Sequence, residues 1–291
     1  MRFARAIVLG LLAVIGLASG GRAEPPRVIA DLAPVQALVA DVMEGLAVPL
    51  LLMPPGTDPY SARLDAASAE RLASAELIFW VGPDPSPWTD PTMQALASDP
   101  RAFALSSVPH LVRRQPAEGG TGDANLWLSP ANARLWLEAI AAELSRRDPE
   151  NAEVYAVNAT RARAEIDGVE AAIRAQIAGA RDRKIYLYRD GYGYFTDHYM
   201  LYVDGWVVAG DDRAPDSARF ADMRRVLASA GPACFFPEFT QPPGVAEALT
   251  EGSNAWIGGP LDAFGEKLQP GPALYGALLT RIARTITICL D

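Results

Sequence analysis

Residues 149–181 read "PENAEVYAVNATRARAEIDGVEAAIRAQIAGAR", and after Pro149 no proline interrupts them. Val154, Val157, Ala164, Ile166, Val169, Ile173 and Ile177 recur at helical spacing and form an apolar stripe. The stretch predicts one amphipathic helix, roughly 50 Å long at 1.5 Å per residue. A helix of that length in the middle of a chain is a stiff connector between two lobes. A coiled-coil dimer is the alternative, but the stripe is too rich in alanine and too irregular for heptads.

On the N-terminal side, "PRVIADLAPVQALVADVMEGL" reads as a short strand (28–30) running into a helix. "VPLLLMPPG" is a second strand, Asp65 caps a helix over 65–75, and "ELIFWVGP" (76–83) is a third strand. Residues 113–125, "RRQPAEGGTGDAN", form a polar loop. A helix follows over 131–145, with Ser129 as its N-cap and Pro130 at its first position. On the C-terminal side, strands over 185–188, 203–208, 233–237 and 255–258 alternate with helices over 217–230, 243–251 and 272–290. Alternation of this kind builds parallel sheets with helices on both faces. The expected fold is α/β: two lobes, each a mostly parallel sheet flanked by helices, joined by one long rigid helix with a ligand cleft between them. The expected division is a signal peptide at 1–23, an N-terminal lobe at 24–148, the linking helix at 149–182 and a C-terminal lobe at 183–291.

The first 23 residues place Arg2 and Arg5 before an apolar run, Ala6–Gly20, and end in small residues, "GRA". That is the pattern of a cleavable export signal. The run is short for a membrane-spanning anchor, and no later run is long and apolar enough to span, so the expected product is exported and soluble. A net charge of −9 and a pI near 4.9 argue against a nucleic-acid partner, which needs clustered Lys and Arg. Two cysteines, Cys234 and Cys289, suit one disulfide in an exported protein, or else two buried thiols. A disulfide would close a loop of about 55 residues, a constraint of roughly 4 kcal/mol in the chain-entropy view. No nucleophile elbow, phosphate loop or metal-hydrolase motif is present, and "GYGYF" lacks the third glycine of a dinucleotide loop. It reads as an aromatic turn packing under the cleft. An enzyme is not expected.

Six strings occur in order: "LLMPPGTDPYSARL", "AELIFWVGPDPSPW", "NLWLSP", "YRDGYGYF", "ACFFPE" and "GPLDAFGE", with the long helix between the third and fourth. Together they resemble the ZnuA-like zinc-uptake proteins, periplasmic substrate-binding components of metal ABC transporters, over essentially the whole chain that follows the signal. The resemblance implies a zinc or manganese ligand in the interlobe cleft, a membrane permease as partner and a monomer in the periplasm. The cysteine pair falls where some members carry a disulfide. Three histidines and a carboxylate make up the family's zinc site. Here the four matching positions are Asp58 (or its neighbourhood), Asn125, Arg189 and Asp262, with Glu238 and Tyr60 as possible supporting groups.

The residues themselves agree that a zinc site of that type is missing. Zinc takes imidazole and thiolate ligands, and the chain has only His110 and His198, each expected to be structural. The remaining cleft groups, Asp58, Asn125 and Asp262, are oxygen donors suited at best to harder cations, and Arg189 beside them opposes any cation. Two readings follow. The first is a solute-binding protein of a metal transporter with an altered site; no cofactor is expected, and tight zinc binding is doubted. The second is a divergent member that binds no metal and acts as an accessory or other-ligand binding protein. Arg189 is expected to replace the metal charge by pairing with Asp262, Asp58 or Glu238.

Overall fold

The structure is a computed structural model that describes residues 24–55, 57, 60, 62–83, 86, 88, 90–115, 123–178, 184–209 and 217–290. The signal segment, 1–23, lies outside the described residues. The N-terminal half runs β1 (Val28–Ala30), α1 (Ala33–Val42), β2 (Leu50–Leu51), α2 (Ala66–Ser74), β3 (Leu77–Trp80), α3 (Pro91–Ala95), β4 (Ala102–Ala104) and α4 (Pro130–Arg147). Its strands form one parallel sheet in the order β2-β1-β3-β4. The central strands β1 and β3 are buried throughout, which is why their sequences are continuous apolar runs without alternation. Asp65 caps α2 by accepting from Ser68 N, and Ser129 caps α4 by accepting from Asn132 N, each satisfying a donor in the first helical turn.

Two elements of this half differ from expectation. β4 carries no strand signal, because Ala-Phe-Ala is weak in β-propensity; pairing with β3 supplies its order. Pro91–Ala95, in a proline-rich stretch, is a helix whose N-cap Asp90 accepts from Thr92 N.

The linking helix α5 spans Ala152–Ile177, 26 residues, and follows a 3-10 turn over Pro149–Asn151. It is thus shorter than the predicted 33 residues, about 39 Å at 1.5 Å per residue; residues 179–181 lie outside the described set. Its buried face is Tyr155, Ala159, Ala162, Ile166, Ile173 and Ile177, while Val157 is exposed and Val154 only half-buried. The predicted stripe is therefore right toward the C-terminal end and rotated toward solvent at the start.

The C-terminal half repeats the architecture: β5 (Lys184–Arg189), α6 (Gly193–His198), β6 (Val203–Val208), α7 (Ser217–Ser229), β7 (Ala233–Phe236), α8 (Val245–Thr250), β8 (Ala255–Ile257) and α9 (Leu274–Leu290). Its parallel sheet has the order β6-β5-β7-β8, equivalent to the first. The aromatic segment after β5 enters the short helix α6 at Gly193, so most of the expected aromatic turn is helical and His198 lies on a helix as expected. A disulfide joins Cys234 on β7 to Cys289 on α9.

The two halves are not separate cores. One apolar cluster runs from Ile29 and Phe79 through Leu137, Ile166 and Ile177 to Leu187 and Leu278. Helices α1, α4 and α9 all pack on α5. Among the described residues, no helix is long and apolar enough to cross a membrane.

Candidate functional site

Three of the cleft groups stand at the carboxyl ends of strands of the second sheet, where open parallel sheets bind ligands. Arg189 is the last residue of β5, Glu238 follows β7, and Asp262 follows β8. Tyr60 lies in the loop after β2, and Asn125 precedes the 3-10 turn Leu126–Leu128. Asp58 lies outside the described residues.

Arg189 is only 7 % exposed. Its Nε is 3.5 Å from Glu238 Oε2, and its guanidinium carbon is 5.2 Å from the centre of the Tyr60 ring. Glu238 Oε1 accepts from Tyr192 OH at 2.8 Å. Burial first, and then Glu238 beside it, push the Tyr192 hydroxyl well above its ordinary range, so it stays a donor. Asn125 is occupied on both ends of its amide: Oδ1 accepts from Tyr60 OH at 3.3 Å, and Nδ2 donates to Gly191 O at 2.7 Å. That Asn125–Gly191 contact spans the two halves of the molecule.

Asp262 is buried but is not the carboxylate that holds Arg189. Its Oδ1 accepts from Phe264 N at 3.0 Å and Gly265 N at 2.8 Å, a local turn that aims the side chain along its own loop. Its Oδ2 is buried and accepts no hydrogen bond. A cavity of about 10 Å³ between Arg189, Glu238, Asp262 and Phe264 adjoins it, near the least volume that holds one water. The structure thus brings Arg189, Glu238, Tyr60, Asn125 and Asp262 into one neighbourhood and sets the arginine against Glu238, one of the three partners expected for it, while Asp262 is engaged by its own loop. Among the described residues, no group of three or more His, Cys, Asp or Glu is arranged to hold a metal ion. His198 is engaged elsewhere: its Nε2 is 3.0 Å from Glu170 Oε1 on α5. His110 sits in a left-handed turn, φ 64°.

A second interlobe cluster, with no signal in the sequence, lies beside the first. Arg114, from the loop ahead of α4, reaches three aspartates: Nε is 2.8 Å from Asp197 Oδ2, and Nη1 is 3.5 Å from Asp190 Oδ1 and 3.6 Å from Asp123 Oδ2. Asp123 accepts from Asn125 N at 2.9 Å and, across the lobes, from Gly193 N at 3.0 Å and Tyr194 N at 3.4 Å. Burial nevertheless dominates and raises the Asp123 carboxyl to about 6, against the opposing effect of the Asn125 amide and Arg114. A Cβ on Gly193 would lie 1.7 Å from Arg114 Nη1, so the missing side chain is what admits the guanidinium. The adjacent turn adds Trp127 Nε1 donating to Ala263 O and Tyr275 OH donating to Trp127 O, both at 2.7 Å. These contacts join the segment ahead of α4 to the C-terminal half.

Comparison with known proteins gives a consistent set of likenesses. The family model described as zinc-uptake complex component A, periplasmic, matches residues 28–289. A high-affinity zinc uptake system protein ZnuA of Paracoccus denitrificans is 34 % identical over 318 aligned positions, covering 97 % of each chain. Its counterpart in Brucella suis is 24 % identical, covering 92 % of each. Among solved structures, the periplasmic zinc binding protein TroA of Treponema pallidum superposes with a TM-score of 0.79 at 20 % identity, over 92 % of this chain and 99 % of that one. The solute-binding protein FpvC of Pseudomonas aeruginosa, solved with Mn²⁺, gives 0.77 at 18 % identity, over 91 % and 98 %. At these identities the two structures speak for the fold alone.

Proposed function

The chain belongs to the periplasmic zinc-uptake component A (ZnuA) family, the substrate-binding proteins of metal ABC transporters, and within it we propose a member whose cleft holds an internal guanidinium–carboxylate pair in place of a tightly bound zinc ion. It is a binding protein and not an enzyme. The family's cargo is zinc or manganese, and its members deliver it to a membrane permease and its ATPase; for this chain, that partner is part of the proposal.

What supports the altered site is one observation: Arg189, buried, stands between the Tyr60 ring and Glu238. The donor set does not fit zinc. Imidazole and thiolate are absent from this neighbourhood, and Asn125 has both ends of its amide in use. A permanently charged guanidinium 4 Å from a cation costs on the order of 4 kcal/mol per unit charge at an effective dielectric near 20. The same guanidinium, 3.5 Å from Glu238, offsets part of the charge of that nearly buried carboxylate. The cleft is then held closed by the protein's own charges, with the Arg114 cluster and the Trp127 turn clasping it alongside.

Calorimetric titration of the metal-stripped mature protein with Zn²⁺ and with Mn²⁺ tests this. The expected result is no stoichiometric nanomolar binding of zinc, with Arg189→His binding zinc more tightly than the parent. Nanomolar, one-to-one zinc binding by the unmodified chain would overturn it.

A further inference from the structure

Where α1, α5 and α9 meet lies a separate groove of about 270 Å³ that shares no lining residue with the Arg189 site. Its wall is small and apolar: Ala162, Ile166 and Val169 of α5, and Ala273, Gly276 and Ala277 around the start of α9. The Tyr275 hydroxyl is committed to Trp127 O. The remaining polar lining is two carboxylates, Asp41 from α1 and Glu165 from α5.

Among the described residues, one guanidinium serves the acids here. Arg161 Nη1 is 2.6 Å from Glu165 Oε1, while its Nη2 is 2.5 Å from Glu44 Oε2 and 3.8 Å from Asp41 Oδ1. Among the described residues, three carboxylates share one arginine, so with Asp41 ionised the acids outnumber the guanidinium. Asp41 is the worst served. It is 6 % exposed, and its Oδ1 accepts no hydrogen bond. Burial, reinforced by Glu165 and Glu44 and only partly opposed by Arg161, raises the Asp41 carboxyl to about 7. No charged residue of α9 lines the groove.

An acceptor without a donor, excess negative charge and an apolar wall together describe a complementary ligand. Two carboxylates are too few for a hard divalent cation, which takes six or more oxygens. An ammonium group carries three donors on a compact head, and its alkyl chain suits the small-residue wall. The volume lies just under that of ordinary small-molecule sites, ~300 Å³ and above, so the chain is short. We propose that this groove binds a small aliphatic primary ammonium compound, its head on Asp41 and Glu165 and its alkyl chain along α5 and α9. An occupant would touch helices from both halves of the molecule.

The test is calorimetric titration of the full mature chain with n-pentylammonium chloride, paralleled by n-pentanol, its neutral counterpart. Saturable one-to-one binding of the amine is expected, with pentanol at least about tenfold weaker, the discrimination of a lost charge-assisted contact. Asp41→Asn is expected to weaken amine binding at least about tenfold. Glu165→Gln, at an exposed position, should weaken it less. Ala273→Leu, an exposed residue on the wall, should weaken it by filling the groove. Near neutral pH, binding should release protons as the cation displaces the Asp41 proton, so the apparent enthalpy should vary with the ionisation heat of the buffer, and Asp41→Asn should abolish that variation. Absence of saturable binding, equal affinity for pentanol, or unchanged amine affinity in Asp41→Asn would overturn the proposal. Should Asp41→Asn not fold, unchanged affinity in both Glu165→Gln and Ala273→Leu would overturn it instead.

Discussion

Arg189 shows how one residue changes a site without changing the fold around it. It ends a buried strand, it is itself nearly buried, and its charge is met by Glu238 and the face of Tyr60. Removing one member of such a pair leaves the other charge uncompensated, which costs more than the pair contributes as a whole. Arg189→Ala is therefore expected to lower stability by about 3 kcal/mol, the low end for buried pairs because the separation is 3.5 Å. Urea unfolding should show this, and Glu238→Gln added to Arg189→Ala should recover part of the loss. A single-variant loss below about 1 kcal/mol would mean the pair behaves as a surface ion pair. The arginine and its match to a ligand position were legible in the sequence. Glu238 was among the three candidate partners, but the sequence did not rank them: Asp262 spends one oxygen on the amides of Phe264 and Gly265, and a string of residue types does not reveal which carboxylate is already bound by its own loop.

At the scale of elements, the short helix α6 begins against a carboxylate from the other lobe. Asp123 accepts from Gly193 N and Tyr194 N, and from Asn125 N within its own segment. Asp123→Ala would strand these buried donors and remove one of the three aspartates around Arg114. Leaving buried donors unsatisfied costs about 1–3 kcal/mol per group. With partial relaxation, a total loss of about 3 kcal/mol is expected, measurable by chemical denaturation. Asp123→Asn, which keeps an acceptor, should lose clearly less, and equal losses in the two variants would refute the capping role. Nothing in "GDANLWLSP" marks Asp123 for this task. The signal is a contact between segments about 70 residues apart, visible only once the lobes are folded together.

Across the whole molecule, buried carboxylates set the pH response. Burial raises Asp31 to about 6, Asp41 to about 7 and Asp123 to about 6, all above their unfolded range. Between about pH 4 and 7 the native state therefore binds more protons than the unfolded chain, and stability falls as pH rises through that window. Glu170 acts oppositely: burial pushes its carboxyl up, but hydrogen bonds from Arg134, Arg174 and His198 outweigh it and bring it down to about 2. Its contribution is lost as pH falls below about 4. Thermal unfolding should accordingly give a higher Tm near pH 5 than near pH 7.5, with a decline on further acidification. A Tm that rises steadily from about pH 5 to 7.5 would contradict this assignment.

The sequence by itself determined the two parallel α/β halves, the helix between them, the capping residues Asp65 and Ser129, and the deficit of histidines. Each of these rests on local periodicity, on a side chain bonding its own helix, or on composition. It also limited the cysteines to one possible intramolecular bond. Only the tertiary structure decided the strand order, the recruitment of β4, the burial phase of the first turns of α5 and the pairing of Arg189 with Glu238. The Arg114 clasp and the orphaned Asp41 belong to the same class. All of these depend on which distant segments share a low-dielectric space. There, a single neighbour decides whether a charge is neutralised, and that neighbour is chosen by how the chain crosses over itself.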